Sequence, residues 1–479
     1  MRAPRRIDEV VWELPPTEVM RVPGRIYADD ELMQALRDDS SLTQVSNVAQ
    51  LPGIVRYSLA MPDIHFGYGF PIGGVAAFSV DDGVISPGGV GYDINCGCRL
   101  LATDLTTESI TGKEPRLIEQ MFRDVPSGVG SKGAIARLAR SELERVLIQG
   151  AGWAVEQGYG AAADLEHTED HGALAGADPA MVSERAYTRG ADQLGTLGSG
   201  NHFLELQVVE TVFDRRAAAA YGLHEGQLTI MIHCGSRGLG YQICEDYLKV
   251  MAEASRRYKI ELPDRQLVCA PVASPEGRRY LAAMACAANY AWTNRQIIMH
   301  LVEKAILHAL RISPRELGLR LVYDVAHNIA KLETHDLNGT TIRACVHRKG
   351  ATRAFAPGHT DVPDDYREVG QPVLIPGDMG TASFVCKGTA EAMTQTFGST
   401  CHGAGRVMSR SQALKRARGR AIDRELSAAG IVVRSQGPKT LGEEMPEAYK
   451  DVEQVVGVMH RAGISPRVAR LRPLGVVKG

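Results

Sequence analysis

Apolar and polar residues follow two rhythms along this chain. Over 134–158, 241–257, 276–311 and 406–428 the apolar positions recur every three to four residues, which predicts helices, the first beginning "AIARLARSELERVLIQ". Short apolar runs at 227–233 (QLTIMIH), 319–325 (LRLVYDV) and 371–375 (QPVLI) predict buried strands. Residues 47–80 are rich in Gly and Pro and close in a further strand-like run. The two kinds of segment are interspersed without steady alternation, no GxGxxG follows a strand, and no Walker P-loop is present. This excludes a Rossmann fold and predicts an α+β fold of mixed sheets with surrounding helices. No repeat, low-complexity tract or Pro/Ser-rich linker divides the chain, so residues 1–479 are expected to form one large compact domain.

Composition narrows the partners. Hydrophobic residues make up 44% and charged residues 23%, enough apolar material for a large core. The net charge of −2 favours neither nucleic acid nor membrane, so either must be met by a local patch. The basic start "MRAPRRIDEV" lacks the apolar run of a secretory signal, and no apolar stretch is long enough to span a bilayer. Nine cysteines show no disulfide spacing. A reducing, cytoplasmic setting without membrane contact is expected, where close cysteines more often bind metal or act in redox chemistry.

The string "GVGYDINCGC" at 89–98 sharpens that expectation. If extended, it would point Asp93 and Cys96 to opposite faces, so they share a site only if the chain turns between them. Gly91 and Gly97 are expected to permit that turn. Further ligands stand at the ends of apolar strands or in glycine-rich turns: His233 closes "LTIMIH", His327 follows "LRLVYDVA", and His202 opens "NHFLEL". Any one of these could be a core histidine bonded to the backbone. Together they suit zinc, and also manganese, iron or cobalt. Five candidates exceed one tetrahedral site, which hints at two metals sharing the thiolate. Cys98, Cys234 and Cys401 are expected to be small buried hydrophobes. If "NHFLEL" is a regular strand, Asn201 and Glu205 share one face and His202 the other.

The last third adds a phosphate-binding pattern. In "FGSTCHGAGRVMSR" (397–410) a turn at Gly403 and Gly405 is expected to open directly into a basic helix, cradling phosphate with backbone N–H groups. Arg406 would add a charged fork. His402 at its mouth could be a ligand, a general base or a nucleophile. "LIPGDMGTASF" offers a second turn, and Lys415, Arg416, Arg418 and Arg420 are either a solvated face or a contact for an RNA backbone.

Seven ordered motifs, "MPDIHFGYGFPIGG", "GVGYDINCG", "LGTLGSGNHFLEL", "YDVAHNIAK", "RKGATRAFAPGH", "GSTCHGAGRVMSR" and "ARLRPLGVVKG", make the chain resemble the RtcB family of RNA ligases from about residue 20 to Gly479. The resemblance implies a single RtcB-like domain and a GTP- and manganese-dependent ligase. Such an enzyme joins an RNA 3′-phosphate or 2′,3′-cyclic phosphate to a 5′-hydroxyl, in tRNA splicing or RNA repair, with archease as a candidate partner. By motif, Asp93, Cys96 and His202 would hold one Mn2+, and Cys96, His233 and His327 the second. His402 would carry GMP covalently. The guanylate pocket would use Asn201, His202, Phe203, Leu204, Glu205, His327, Asn328, Pro376, Gly377, Asp378, Met379, Ser383, His402, Gly403, Ala404, Gly405, Tyr449 and Lys478. Phe66 and Tyr241 stand where glutamine and histidine are common in the family, and Asp378 where serine also occurs. A dinuclear phosphodiesterase and a metal-stabilised RNA-binding protein are the competing readings; GTP dependence and turnover separate them from the ligase.

Overall fold

A computed structural model describes residues 3–37, 39–337 and 339–479. Two large, mostly antiparallel sheets organise them. The first has seven strands in the order Arg5–Asp8, Val11–Leu14, Gly24–Tyr27, Ile54–His65, Ile72–Ser79, Thr340–Lys349, Asn328–Leu337. The second runs Arg320–Ala326, Gly97–Thr106, Gln227–Cys234, Phe203–Val212, Arg467–Lys478, Ser383–Lys387, Pro372–Ile375, with Val432–Ser435 parallel to Arg467–Lys478. The α+β expectation holds. The three predicted strands form with bounds shifted by a residue, and all are buried on both faces except at Arg320.

Two features place the site. Arg320–Ala326 belongs to the second sheet and Asn328–Leu337 to the first, so His327 is the single residue at which the chain passes from one to the other. A short ladder, Ala351–Arg353 with Ser399–Cys401, brings the segment just before His402 beside the end of the first sheet.

The helix Pro275–Leu310 matches its predicted span because its ends are marked: the Ser274 hydroxyl caps the first turn, Pro275 follows, and Arg311 leaves in the left-handed region. The helix expected over 134–158 is shorter and interrupted. It comprises Arg140–Gln149 and Ala151–Glu156, separated by Gly150 at φ 58°, where an added Cβ would strike the carbonyl of Gly172. The 406–428 helix likewise resolves into Arg410–Arg416 and Ile422–Ala428. No helix among the described residues is long and apolar enough to cross a membrane.

Candidate active site

Four adjacent strands of the second sheet present the candidate ligands at one end. Cys98 pairs with His233 and Phe203 with His233, while Ala326 pairs with Gly97, so the residues flanking these pairs meet above the sheet edge. The turn joining Asp93 to Cys96 forms, closed by the Cys96 N–H donating to the Asp93 carbonyl at 3.0 Å. Its left-handed residue is Asn95 (φ 51°), not Gly97, which already lies in the strand. Asparagine tolerates this region because its short side chain bonds locally, and Arg295 holds both its carbonyl and its side-chain oxygen. His202 precedes the strand Phe203–Val212, so the expected conflict of faces does not arise.

The liganding atoms of Asp93, Cys96 and His202 lie within 4.8 Å of one another, as do those of Cys96, His233 and His327. Cys96 Sγ is 3.5 Å from His202 Nε2 and 3.3 Å from His233 Nε2, and the Nε2 atoms of His233 and His327 are 3.1 Å apart. His202 Nδ1–H donates to the Leu197 carbonyl at 2.9 Å, and Nε2 meets Asp93 at 2.8 Å, so a cation displacing the Nε2 proton would find the carboxylate and the imidazole already together. Burial, then the charge of neighbouring histidines, holds His233 and His327 well below the ordinary histidine range, so both offer lone pairs. Among the described residues His327 Nδ1 is buried without a hydrogen-bond partner, and it would carry the ring proton when Nε2 takes a cation. Burial, then Asp93, pushes the Cys96 thiol up to about 12; a bound cation would reverse that and keep the thiolate. Gly235 lets the chain leaving Gln227–Cys234 close on this cluster, since a Cβ there would lie 2.4 Å from the Asp93 carboxylate. The donor set thus fits divalent cations, with Cys96 common to both ligand groups.

Beside the cluster is a cavity of about 310 Å³ lined by Asn201, Phe203, Glu205, His233, His327, Asn328, Pro376, Gly377, Asp378, Met379, His402, Gly403, Ala404, Gly405, Tyr449 and Lys478, all expected from the sequence. Three expected pocket residues sit elsewhere: His202 is turned into the ligand cluster against Asp93 and Cys96. Leu204 points to the opposite sheet face, into an apolar cluster with Leu101 and Ile118. Ser383 is buried behind the wall, where its hydroxyl accepts from Gln207 and from the Gly377 N–H.

His402 packs against His327, with ring centroids 4.8 Å apart and planes tilted by 60°. Its backbone N–H and Nδ1–H both donate to one oxygen of Asp63, at 3.0 and 2.6 Å. That contact selects the tautomer with a lone pair on Nε2. Burial raises the Asp63 carboxyl, but the charge and hydrogen bonds of His402 outweigh it and bring it below the usual range. The turn after His402 does not open directly into a helix: Gly405 (φ 74°) packs its Cα on the Asp63 carbonyl, and the helix begins only at Arg410. Asp63 was not legible as a site residue, because it lies inside a strand and meets His402 from 339 positions away.

Glu444, also missed, anchors the far wall. It is fully buried and accepts from Tyr449, with Arg406 at 3.2 Å, Arg410 at 3.4 Å and Lys478 at 3.9 Å. Burial works to raise its carboxyl, and these cations bring it below the ordinary range. Burial lifts Glu205 to about 8 and raises Asp378, whose oxygens cap its own turn through Gly380 N–H and the Thr381 hydroxyl.

Comparison with known proteins identifies the family. Residues 44–479 match the family model described as tRNA-splicing ligase RtcB. The tRNA-splicing ligase RtcB of Archaeoglobus fulgidus is 56% identical over 477 residues, covering 99% of this chain and 98% of the relative. That of Thermococcus kodakarensis is 54% identical, with 99% and 98% covered. The RNA-splicing ligase RtcB of Mycobacterium tuberculosis is 53% identical over 91% of this chain and all of its own length. With its motifs, its paired ligand cluster and matches of this extent, the chain belongs to the tRNA-splicing ligase RtcB family.

Proposed function

We propose that this chain is a cytoplasmic, GTP- and manganese-dependent RNA ligase acting in tRNA splicing or RNA repair. It joins an RNA 3′-phosphate, or a 2′,3′-cyclic phosphate after opening, to a 5′-hydroxyl through GMP carried on His402. The observation that carries the reading is the placement of His402: one ring nitrogen is bound to Asp63, the other is unpartnered, and the ring lies against the metal ligand His327. Divalent cations held by Asp93, Cys96, His202, His233 and His327 would neutralise phosphate charge and make phosphorus a better electrophile.

The rest of the chemistry falls to the chain's own groups. His402 Nε2 attacks the α-phosphorus of GTP, forming a P–N bond as the bond to the β-phosphate oxygen breaks and pyrophosphate leaves. Asp63 stabilises the positive charge that develops on the ring. An oxygen of the RNA 3′-phosphate then attacks the same phosphorus and breaks the P–N bond, which activates the RNA end. The 5′-hydroxyl finally attacks the 3′-phosphate and expels GMP. Lys478, Arg406 and Arg410 supply positive charge around the cavity, and Phe203 and Tyr449 supply flat apolar surface for the base. Transfer of this kind depends on positioning and charge neutralisation.

The test is incubation with α-labelled GTP and manganese, wild type beside His402→Ala. Covalent, acid-labile label that disappears in the variant, with bound metal unchanged, is expected. Label retained by the variant overturns the role of His402. A wild type carrying metal but accepting no label, even with archease and a 3′-phosphate RNA present, overturns the reaction.

A further inference from the structure

A second, open groove of about 700 Å³ begins where the active-site cavity ends, and Tyr68 lines both. One wall is a stripe of the helix Arg237–Arg257: Glu245, Lys249, Ala252 and Arg256, spaced three to four residues apart and so on one face, with Leu248 beside them. The same stripe begins at Tyr241, whose ring stacks on Tyr92, the residue before Asp93, and at the helical rise it runs about 22 Å to Arg256. The other wall is the segment that follows the helix, which contributes Arg265.

Three observations separate this groove from an ordinary surface depression. First, Lys249, Arg256 and Arg265 are exposed and, among the described residues, make no ion pair or side-chain hydrogen bond, against the single lining carboxylate of Glu245. Their neighbour Arg257 is, by contrast, committed to Glu276. Second, the junction with the cavity is aromatic. Tyr68 meets Tyr92 edge-on at 5.7 Å, and Tyr92 stacks on Tyr241 at 4.9 Å. The exposed ring of Phe66 stands two residues before Tyr68. Third, the groove shares Tyr68 with the cavity and none of Pro376–Met379, Glu444, Tyr449 and Lys478, the residues that a bound nucleotide would occupy.

We propose that this groove is a track for the single-stranded RNA adjoining the end held in the active site, with Lys249, Arg256 and Arg265 meeting successive phosphates and the aromatic row giving the terminal bases flat surface. Free cations along an apolar floor with aromatic rings at one end are what a single strand requires, because its backbone is regularly charged and its bases are unpaired. A duplex has no unpaired base to place on the rings. This inference rests on the reading of the cavity as a site for RNA ends.

The experiment replaces all three cations, as Lys249→Gln, Arg256→Gln and Arg265→Gln together. Two quantities are read: covalent labelling by α-labelled GTP with manganese, and binding of fluorescent single-stranded RNA by anisotropy between 50 and 200 mM salt. Labelling at the wild-type rate is expected. A strand of about twelve nucleotides should bind about tenfold more weakly, with its log–log salt slope shallower by about 2, since each lost single-strand phosphate contact removes ~0.7. A strand of about three nucleotides, confined to the cavity, should bind as before. An unchanged affinity for the long strand overturns the proposal, and is the outcome if the groove serves a protein. Equal losses for both lengths overturn it too. Failure of the wild type to label strikes the ligase reading, while the RNA affinities still decide the groove.

Discussion

His402 and Asp63 form the most consequential pair in the protein. The carboxylate accepts from both the backbone and the ring of His402, so it sets the position of the ring and the nitrogen that carries its proton. Asp63→Asn can still accept at that position but presents no charge to the ring, and guanylation is expected to slow by about 100-fold or more while metal content stays unchanged. Rapid-quench labelling beside metal analysis checks this, and a parallel loss of metal would reassign Asp63 to general scaffolding. Removing Cys96 acts on the other half of the site. Cys96→Ala takes a donor from both ligand groups, and bound manganese is expected to fall well below the wild-type content, read by elemental analysis after gel filtration. At this scale the sequence was readable where a ligand ends an apolar strand, as His233 and His327 do. It was unreadable where the meaning of a residue lies in a distant partner. Asp63 and Glu444 are ordinary polar positions until folding brings His402, Arg406 and Lys478 against them.

Among elements, the buried helix Pro275–Leu310 holds the ligand cluster from behind. Its Arg295 donates to the carbonyls of Asn95 and Cys234, one in the Asp93–Cys96 turn and the other beside His233. Arg295 and Arg99 share Asp324 at 2.7–2.9 Å, all three fully buried. Asp324→Ala leaves two buried guanidinium groups short of their charge partner and is expected to cost about 3–5 kcal/mol, measured by urea unfolding.

Lys349 is a second such tie. Its ammonium donates to the carbonyls of Tyr68, Phe70 and Gly88, and burial lowers it to about 7. Because the folded value lies below the ~10.4 of the free side chain, the unfolded chain binds more protons between these two, and stability from this group rises with pH over that window. Wild type is therefore expected to gain on Lys349→Met as pH goes from 7 to 9.5, by at most about 1.4 kcal/mol per unit. A constant difference between their unfolding curves would remove Lys349 as the cause. Element spans were legible where capping chemistry is local, as at Ser274 and Pro275. The break at Gly150 was not, because the carbonyl of Gly172 enforces it from another segment.

At the level of the whole molecule, the site exists only where the two sheets meet. The first supplies Asp63, the second supplies His233, and His327 is the point of passage between them. The α+β class and the apolar strands could be read from spacing. The strand order could not, because partners such as Phe203–Val212 and Arg467–Lys478 are drawn together over more than half the chain and nothing in either specifies the other.

That last pairing also makes the site depend on a single strand. Arg467–Lys478 lies inside the second sheet, between Phe203–Val212 and Ser383–Lys387, and it carries Lys478 into the cavity. A copy lacking those residues leaves the sheet split and the cavity without its lysine, so the same loss strikes stability and site together.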